Sequence, residues 1–429
     1  MLQLDYRKFS GLLILFAFLF PTFPAITRTG DAGRLGDMVM VLGILFIILV
    51  YFLVFNRRMN TKNLVFSILF AGIFFLLISF SIIFEVQYIS VRDIYEYHKP
   101  IYIILIFSFF LSFNWTTENF RQYFIKPFIF LFIFFTCYGL IEAFTGPIGQ
   151  FISSTLYKNP RAILVGKSTG SFGVTYFFGT FMLLSTFFFF FRYVLRKQKV
   201  DLFWFFGSMM VVIATQSRTI FIAFGFGLVY IFMTYWRFKG FPFKKVLYFG
   251  TFFLVALIVI LWTPIMDWVA STFPYLYYGI EFLIRSGGVD ESGVGSANVR
   301  YQQLLWAWDN QFTYPIIGAG IGKATGPQLE SFYALYLFRY GLIGIVISVG
   351  LLVFNFIMSL KCYSISKKYE DKNTSAFFLA FSVFCVVLPI CSLSSVMTDQ
   401  PRLAILYYGA TAAMIGYYRI VKQKQNSCE

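Results

Sequence analysis

Residues 174–191 read VTYFFGTFMLLSTFFFFF, eighteen positions without a charge, closed by Arg192, Arg196, Lys197 and Lys199. A block of this length is what a helix needs to cross a bilayer, about 20 residues. Similar blocks recur on both sides of it, near residues 11–27, 38–55, 63–85, 100–115, 127–144, 202–217, 219–236, 246–263, 338–358, 376–397 and 403–418. The composition agrees. The chain is 59% apolar and 13% charged, with 60 Phe, against about 45–50% and 25% in a soluble domain. Soluble enzymes, nucleic-acid binders and disulfide-stapled secreted domains are excluded.

The spans predict an all-α polytopic membrane protein of about twelve transmembrane helices, with both termini on one side. Residues 1–263 would hold spans one to nine and 264–337 a large outer loop with short helices. Residues 338–429 would hold spans ten to twelve and a short tail. With the N-terminus inside, the inner segments carry 22 of the 35 Lys and Arg and six of the 19 acids. The outer segments carry 13 of each, so the whole net charge of +16 is a positive-inside bias. The charge therefore orients the protein and gives no reason to expect nucleic acid. The first span follows Arg7 and Lys8 and reads as an uncleaved signal anchor. All five cysteines, at 137, 362, 385, 391 and 428, fall in spans or inside, so no exported disulfide framework is expected.

Two outer connections are long, 145–173 and 264–337. The second opens on Trp262, Pro264 and Trp268, which suit an interfacial belt, and continues through a flexible Gly-rich turn around Asp290 and Glu291. Residues 300–312 predict an amphipathic helix with Leu304, Leu305 and Trp308 on one face. Pro315 ends it, before Gly318, Gly320 and Gly322. These glycines, with Gly341 and Gly344, fit tight turns or close helix contact. Trp306 and Trp308 fit packing better than sugar platforms.

Outer arginines are costly placements. Arg218 sits in Thr215-Gln216-Ser217-Arg218-Thr219 between two apolar spans with almost no loop, where an intramembrane-edge charge marks function. Arg161 and Arg300 lie in the longer loops. Snorkelling or simple solvation is the plain alternative; the sharper reading is convergence of these guanidinium forks on an anionic phosphate. Gly166-Lys167-Ser168-Thr169 imitates the end of a phosphate-binding P-loop, but Arg161 stands where that motif needs Gly, and no strand precedes it. The single His98 has no second ligand nearby, so no metal and no cofactor is expected.

The chain resembles the O-antigen polymerase and ligase superfamily, the Wzy-type membrane enzymes of bacterial polysaccharide assembly. The resemblance runs over the C-terminal two-thirds. It rests on Thr169-Gly170-Ser171-Phe172-Gly173 entering a span, the Ser217-Arg218 turn, and Arg300 ahead of an aromatic helix. Tyr314-Pro315-Ile316-Ile317-Gly318-Ala319-Gly320-Ile321-Gly322 follows, then Glu330-Ser331-Phe332-Tyr333 leading to Arg339-Tyr340-Gly341. It implies a GT-C-like fold in the inner membrane, with the active site facing the periplasm. It also implies a substrate glycan on undecaprenyl pyrophosphate, and a chain-length regulator protein as a further partner. Arg218 and Arg300, helped by Arg161, would hold the pyrophosphate, and Tyr301 and Tyr333 would bind the sugars. Glu330 occupies the position where ligases carry histidine and would act as general base. The alternative makes it an exposed acid or an arginine's structural partner. Arg339 is kept out of the site, with a packing role open. The function expected is polymerisation of lipid-linked repeat units. Ligation to lipid A–core is the runner-up, and a polysaccharide flippase, expected to show repeat symmetry, belongs to another class.

Overall fold

The computed structural model describes residues 6–21, 32–55, 61–83, 95–157, 167–235, 262–272, 277, 296–310, 315–320 and 329–426. Arg161, Asp290, Glu291 and all but the last two residues of the span predicted at 246–263 lie outside them. Among the described residues the regular structure is helical and no strand occurs. The helices are α1 (Lys8–Leu19), α2 (Ala32–Val54), α3 (Thr61–Ile83), α4 (His98–Leu111) and α5 (Thr117–Phe144). Then come α6 (Pro147–Leu156), α7 (Thr175–Arg196), α8 (Lys199–Ala214), α9 (Arg218–Tyr235) and α10 (Trp262–Thr272). The last four are α11 (Ser296–Asn310), α12 (Phe332–Lys368), α13 (Lys372–Cys391) and α14 (Pro401–Asn426). By length and composition α5, α7, α12 and α13 can each cross a membrane, and α1 and α4 are shorter apolar helices. The described residues are those of an all-α protein with helices fit to cross a membrane.

Burial ranks these helices. Of its apolar window α13 buries 83% and α7 72%, whereas α12 buries 28%. α13 and α7 therefore form the centre, and α12 turns most of its aliphatic surface outward. The phenylalanines that make the sequence so apolar supply the packing: Phe18, Phe128, Phe132, Phe135 and Phe181 are fully buried. Their rings meet edge-on or tilted, as Phe18–Phe181 at 5.0 Å and Phe132–Phe188 at 5.4 Å.

Hydrogen bonds sort the helix ends into two groups. At one end Arg402 Nη2 donates to the Phe20 carbonyl at 3.0 Å, Tyr157 Oη to Leu19 at 2.9 Å, and the Ser168 N–H to Ala214 at 2.9 Å. At the other, Ser10 Oγ donates to the Tyr123 carbonyl at 3.0 Å, and the Tyr51 and Ser112 hydroxyls hydrogen-bond at 2.8 Å. Arg196 reaches Asn373 at 3.4 Å there, and Ser366 meets Ser375 at 2.8 Å. The basic clusters around Arg7, Arg196 and Lys368 belong to this second end.

Several boundaries differ from the sequence reading: the first helix ends at Leu19 and not at 27, and α12 and α14 run on to Lys368 and Asn426. Three others have a local reason. α5 starts ten residues before the predicted 127, because Thr116 caps it by accepting from the Asn119 N–H at 3.3 Å and a π-turn, Arg121–Ile125, carries it forward. The span predicted at 376–397 stops at Cys391 and gives way to a turn, Ser392–Val396, in which Ser392, Ser394 and Val396 are buried. The span expected from 338 begins at Phe332, where Ser331 accepts from the Ala334 N–H at 3.2 Å, and breaks at Gly341 (φ +59°, ψ −159°).

The break in α12 frees backbone groups that water would not reach in a bilayer, so protein must satisfy them. The turn 315–320 does so. The Ala319 and Gly320 N–H groups donate to the carbonyls of Phe338 (2.7 Å) and Arg339 (3.0 Å), and the Leu342 and Ile343 N–H groups to those of Pro315 (3.0 Å) and Ile316 (3.2 Å). A Cβ on Gly341 would lie 2.5 Å from the Ile316 oxygen, and one on Gly318 2.5 Å from the Arg339 oxygen. Only glycine allows the two backbones this close, which the sequence reading expected of these residues.

Candidate active site

The first element of the site is the turn between α8 and α9. Gln216 takes a left-handed conformation (φ +49°), which costs a non-glycine residue free energy and concentrates at functional positions. The Ser217 carbonyl accepts the Ile220 and Phe221 N–H groups, each at 3.1 Å, and starts α9 at Arg218. A cation in a first helical turn opposes the macrodipole by about 0.3–1 kcal/mol. Arg218 is nonetheless there, and exposed. Next to it, the Thr219 hydroxyl bonds the Ser394 hydroxyl at 2.5 Å.

The second element is α11. Arg300 Nε donates to the Ser394 carbonyl at 3.3 Å, and its Nη2 stands 3.7 Å from Glu330 Oε2. Gln303, one turn along and buried, accepts the Glu330 N–H at 3.1 Å, so α11 holds both the backbone and the side chain of Glu330. The Arg300 side chain is 22% exposed and that of Glu330 46%. An ion pair this open contributes about 0–1 kcal/mol, little enough for a bound anion or hydroxyl to replace either partner.

On α11 the predicted apolar face lies outward. Leu304, Leu305 and Trp308 are exposed, at 36%, 38% and 51%, while Gln303 and Ala307 are buried. The small Ala307 faces the protein, as small residues do where the backbones of membrane helices approach closely. Trp306 packs on Phe338 with centroids 4.8 Å apart, as a packing residue.

Beside this pair a narrow apolar cleft runs between α3, α12, α13 and α14, bounded by Phe74, Tyr333, Leu351, Pro389, Thr398 and Tyr407. The Tyr333 hydroxyl donates to the Pro389 carbonyl at 3.0 Å, near the end of α13, and its ring faces the cleft.

Arg339 belongs to a separate network. Its Nη1 lies 3.4 Å from Glu96 Oε2; Glu96 pairs with Lys99 at 2.7 Å, and Lys99 with Asp399. Tyr336 Oη donates to Asp399 at 3.4 Å. Two cations and two anions cancel, and the network ties α4 to α12 and to the turn before α14.

The imitation P-loop also finds an anion, an internal one. The carboxylate of Glu142 accepts from Ser168 Oγ (2.9 Å), the Thr169 N–H (2.8 Å), Thr169 Oγ1 (2.8 Å) and the Gly170 N–H (2.9 Å). These donors, which a phosphate site would need, are already used.

Of the sequence-predicted site residues, the structure joins Arg300 and Glu330 directly and links the Arg218 turn to them through Thr219 and Ser394. Tyr333 borders the adjoining cleft. Tyr301 is 58% exposed; as Arg300's immediate neighbour it leaves the helix about 100° away. Arg161 lies outside the described residues. Among the described residues no group of three or more His, Cys, Asp or Glu side chains could hold a metal. Ser394, Thr219 and Gln303 were missed. The one signal was Ser392-Leu-Ser-Ser395 after Pro389, a polar run at the end of an apolar block. The chain matches no known protein-family model and no curated protein.

Proposed function

We propose that this protein is a polysaccharide polymerase, similar to the Wzy-type enzymes. It would move a growing glycan from undecaprenyl pyrophosphate onto a new lipid-linked repeat unit. In this reading the chain crosses the inner membrane about twelve times, with the basic helix ends in the cytoplasm and the Arg300–Glu330 end facing the periplasm. The observation that carries it is the meeting of Arg300, Glu330 and the Arg218 turn beside an apolar cleft, at the end opposite the basic clusters. A lipid diphosphate bearing sugars presents matching chemistry: a tail for the cleft, two phosphates for guanidinium forks, and a hydroxyl for a carboxylate.

Glu330 accepts the proton of the acceptor sugar hydroxyl as that oxygen attacks the anomeric carbon. The bond from that carbon to the phosphate oxygen breaks, and the electron pair leaves with the diphosphate. Arg218 and Arg300 stabilise the charge it gains. Arg300 exchanges Glu330 for the phosphate as substrate enters, and this frees the carboxylate to act as base.

Deletion of the gene, followed by gel analysis of cell-surface glycan, tests the proposal. Loss of the length ladder with single capped units retained is expected. Loss of every capped unit would indicate a ligase, and accumulation of lipid-linked units inside the cell a flippase; either result contradicts the proposal.

A further inference from the structure

We propose that Ser394 and Thr219 are positioning residues that set the geometry between the Arg218 turn, Arg300 and Glu330, and so control affinity for the lipid diphosphate. This rests on the polymerase reading for the identity of the ligand. Ser392–Ser394, the turn between α13 and α14, touches each element that carries a site residue. The Ser392 carbonyl accepts the Phe332 N–H at 3.0 Å, two residues beyond Glu330. The Ser394 carbonyl accepts Arg300 Nε at 3.3 Å. The Ser394 hydroxyl bonds Thr219, which follows Arg218, and Thr219 also meets the Ser217 hydroxyl at 3.2 Å.

The turn is rigid enough to serve as a reference. Its own N–H groups close back onto α13, Ser392 to Leu388 at 2.9 Å, Leu393 to Ile390 at 3.1 Å and Ser394 to Cys391 at 3.1 Å. Ser394 is 3% exposed, so water does not compete for its hydroxyl. The chain of Ser217, Thr219 and Ser394 hydroxyls therefore fixes where α9 begins, against the local strain at Gln216. Without it Arg218 keeps its charge but loses its place relative to Arg300. A shift of about 1 Å in such a group can cost a hundredfold in rate.

Thr219→Val keeps the shape of the side chain and removes the hydroxyl; Thr219→Ser restores it; Ser394→Ala removes the partner. The readouts are binding of farnesyl diphosphate to the detergent-purified full chain, glycan ladder length in cells, and the thermal midpoint. Thr219→Val and Ser394→Ala should each weaken binding and polymerisation about 10- to 100-fold with the midpoint unchanged. Thr219→Ser should match the wild type, and the double variant should be no worse than the weaker single, because one link is lost either way. Wild-type binding in both hydroxyl-less variants, or losses that multiply in the double, overturns the inference. Failure of the polymerase reading looks different: Arg218→Ala and Arg300→Ala would then themselves bind farnesyl diphosphate and extend glycan normally.

Discussion

Replacing Lys99 by Met removes one charge from the four-charge network and keeps most of the aliphatic stem. Lys99 holds Glu96 at 2.7 Å and also pairs with Asp399, and its loss strands both carboxylates. Breaking one side of a buried ion pair costs about 3–5 kcal/mol. Arg339 remains 3.4 Å from Glu96 and neutralises part of that charge, and Asp399 keeps 21% of its side chain exposed; together these lower the expectation to about 2–4 kcal/mol. Asp399→Asn is milder, about 1–2 kcal/mol, because Lys99 keeps Glu96. The double variant Lys99→Met/Asp399→Asn removes a cation and an anion together. It should cost less than the two singles summed, by at least about 1 kcal/mol. Unfolding of the purified protein in mixed micelles, titrated with sodium dodecyl sulfate and followed by tryptophan fluorescence, measures all three. Additive losses would show that Lys99 and Asp399 are not coupled, and the network would lose its place in the account.

The other structural predictions are simpler. Glu142→Ala orphans four donors bonded at 2.8–2.9 Å and should destabilise by about 3 kcal/mol or more, read as a lower unfolding midpoint and faster proteolysis near residue 170. Gly341→Ala places a Cβ 2.5 Å from the Ile316 oxygen; folded yield should fall sharply, while Gly350→Ala, where a Cβ meets nothing within 4 Å, should be silent. On α6, Ile148 is 60% exposed and Phe151 69%, and the helix is tied to α1 where Tyr157 bonds Leu19. Phe151→Trp should therefore be quenched by brominated lipids in proteoliposomes; quenching by aqueous acrylamide alone would place α6 in water.

The parts of the fold legible in sequence were those fixed by local composition. Apolar blocks gave helices where they were uncharged and long, and clusters such as Arg196, Lys197 and Lys199 marked one set of ends. Gly318 and Gly341 could be read as close contacts because no other residue tolerates their backbone. What escaped was set by pairing across the chain. Glu96 and Lys99 meet Arg339 and Asp399 from some 240 and 300 residues away, and no spacing rule reports that. Ser392–Val396 was hidden inside an apolar block, because a short polar run there reads as the tail of a span. The amphipathic pattern of α11 was legible, but not which way its apolar face points. The pairing of Arg300 with Glu330 was foreseen only as the alternative to catalysis, and the exposure of that pair lets both descriptions apply to one residue.

The most direct test is a reconstituted assay. Purified protein in liposomes receives its host's undecaprenyl-pyrophosphate-linked repeat unit, and products are sized on a gel. Wild type should build a ladder without added nucleotide, and Arg218→Ala and Arg300→Ala should stop at single units while staying folded. Glu330→Gln should slow extension by about 10²–10⁴-fold. Ladders of normal length from Arg218→Ala and Arg300→Ala would contradict a guanidinium-held diphosphate as the centre of this protein's chemistry.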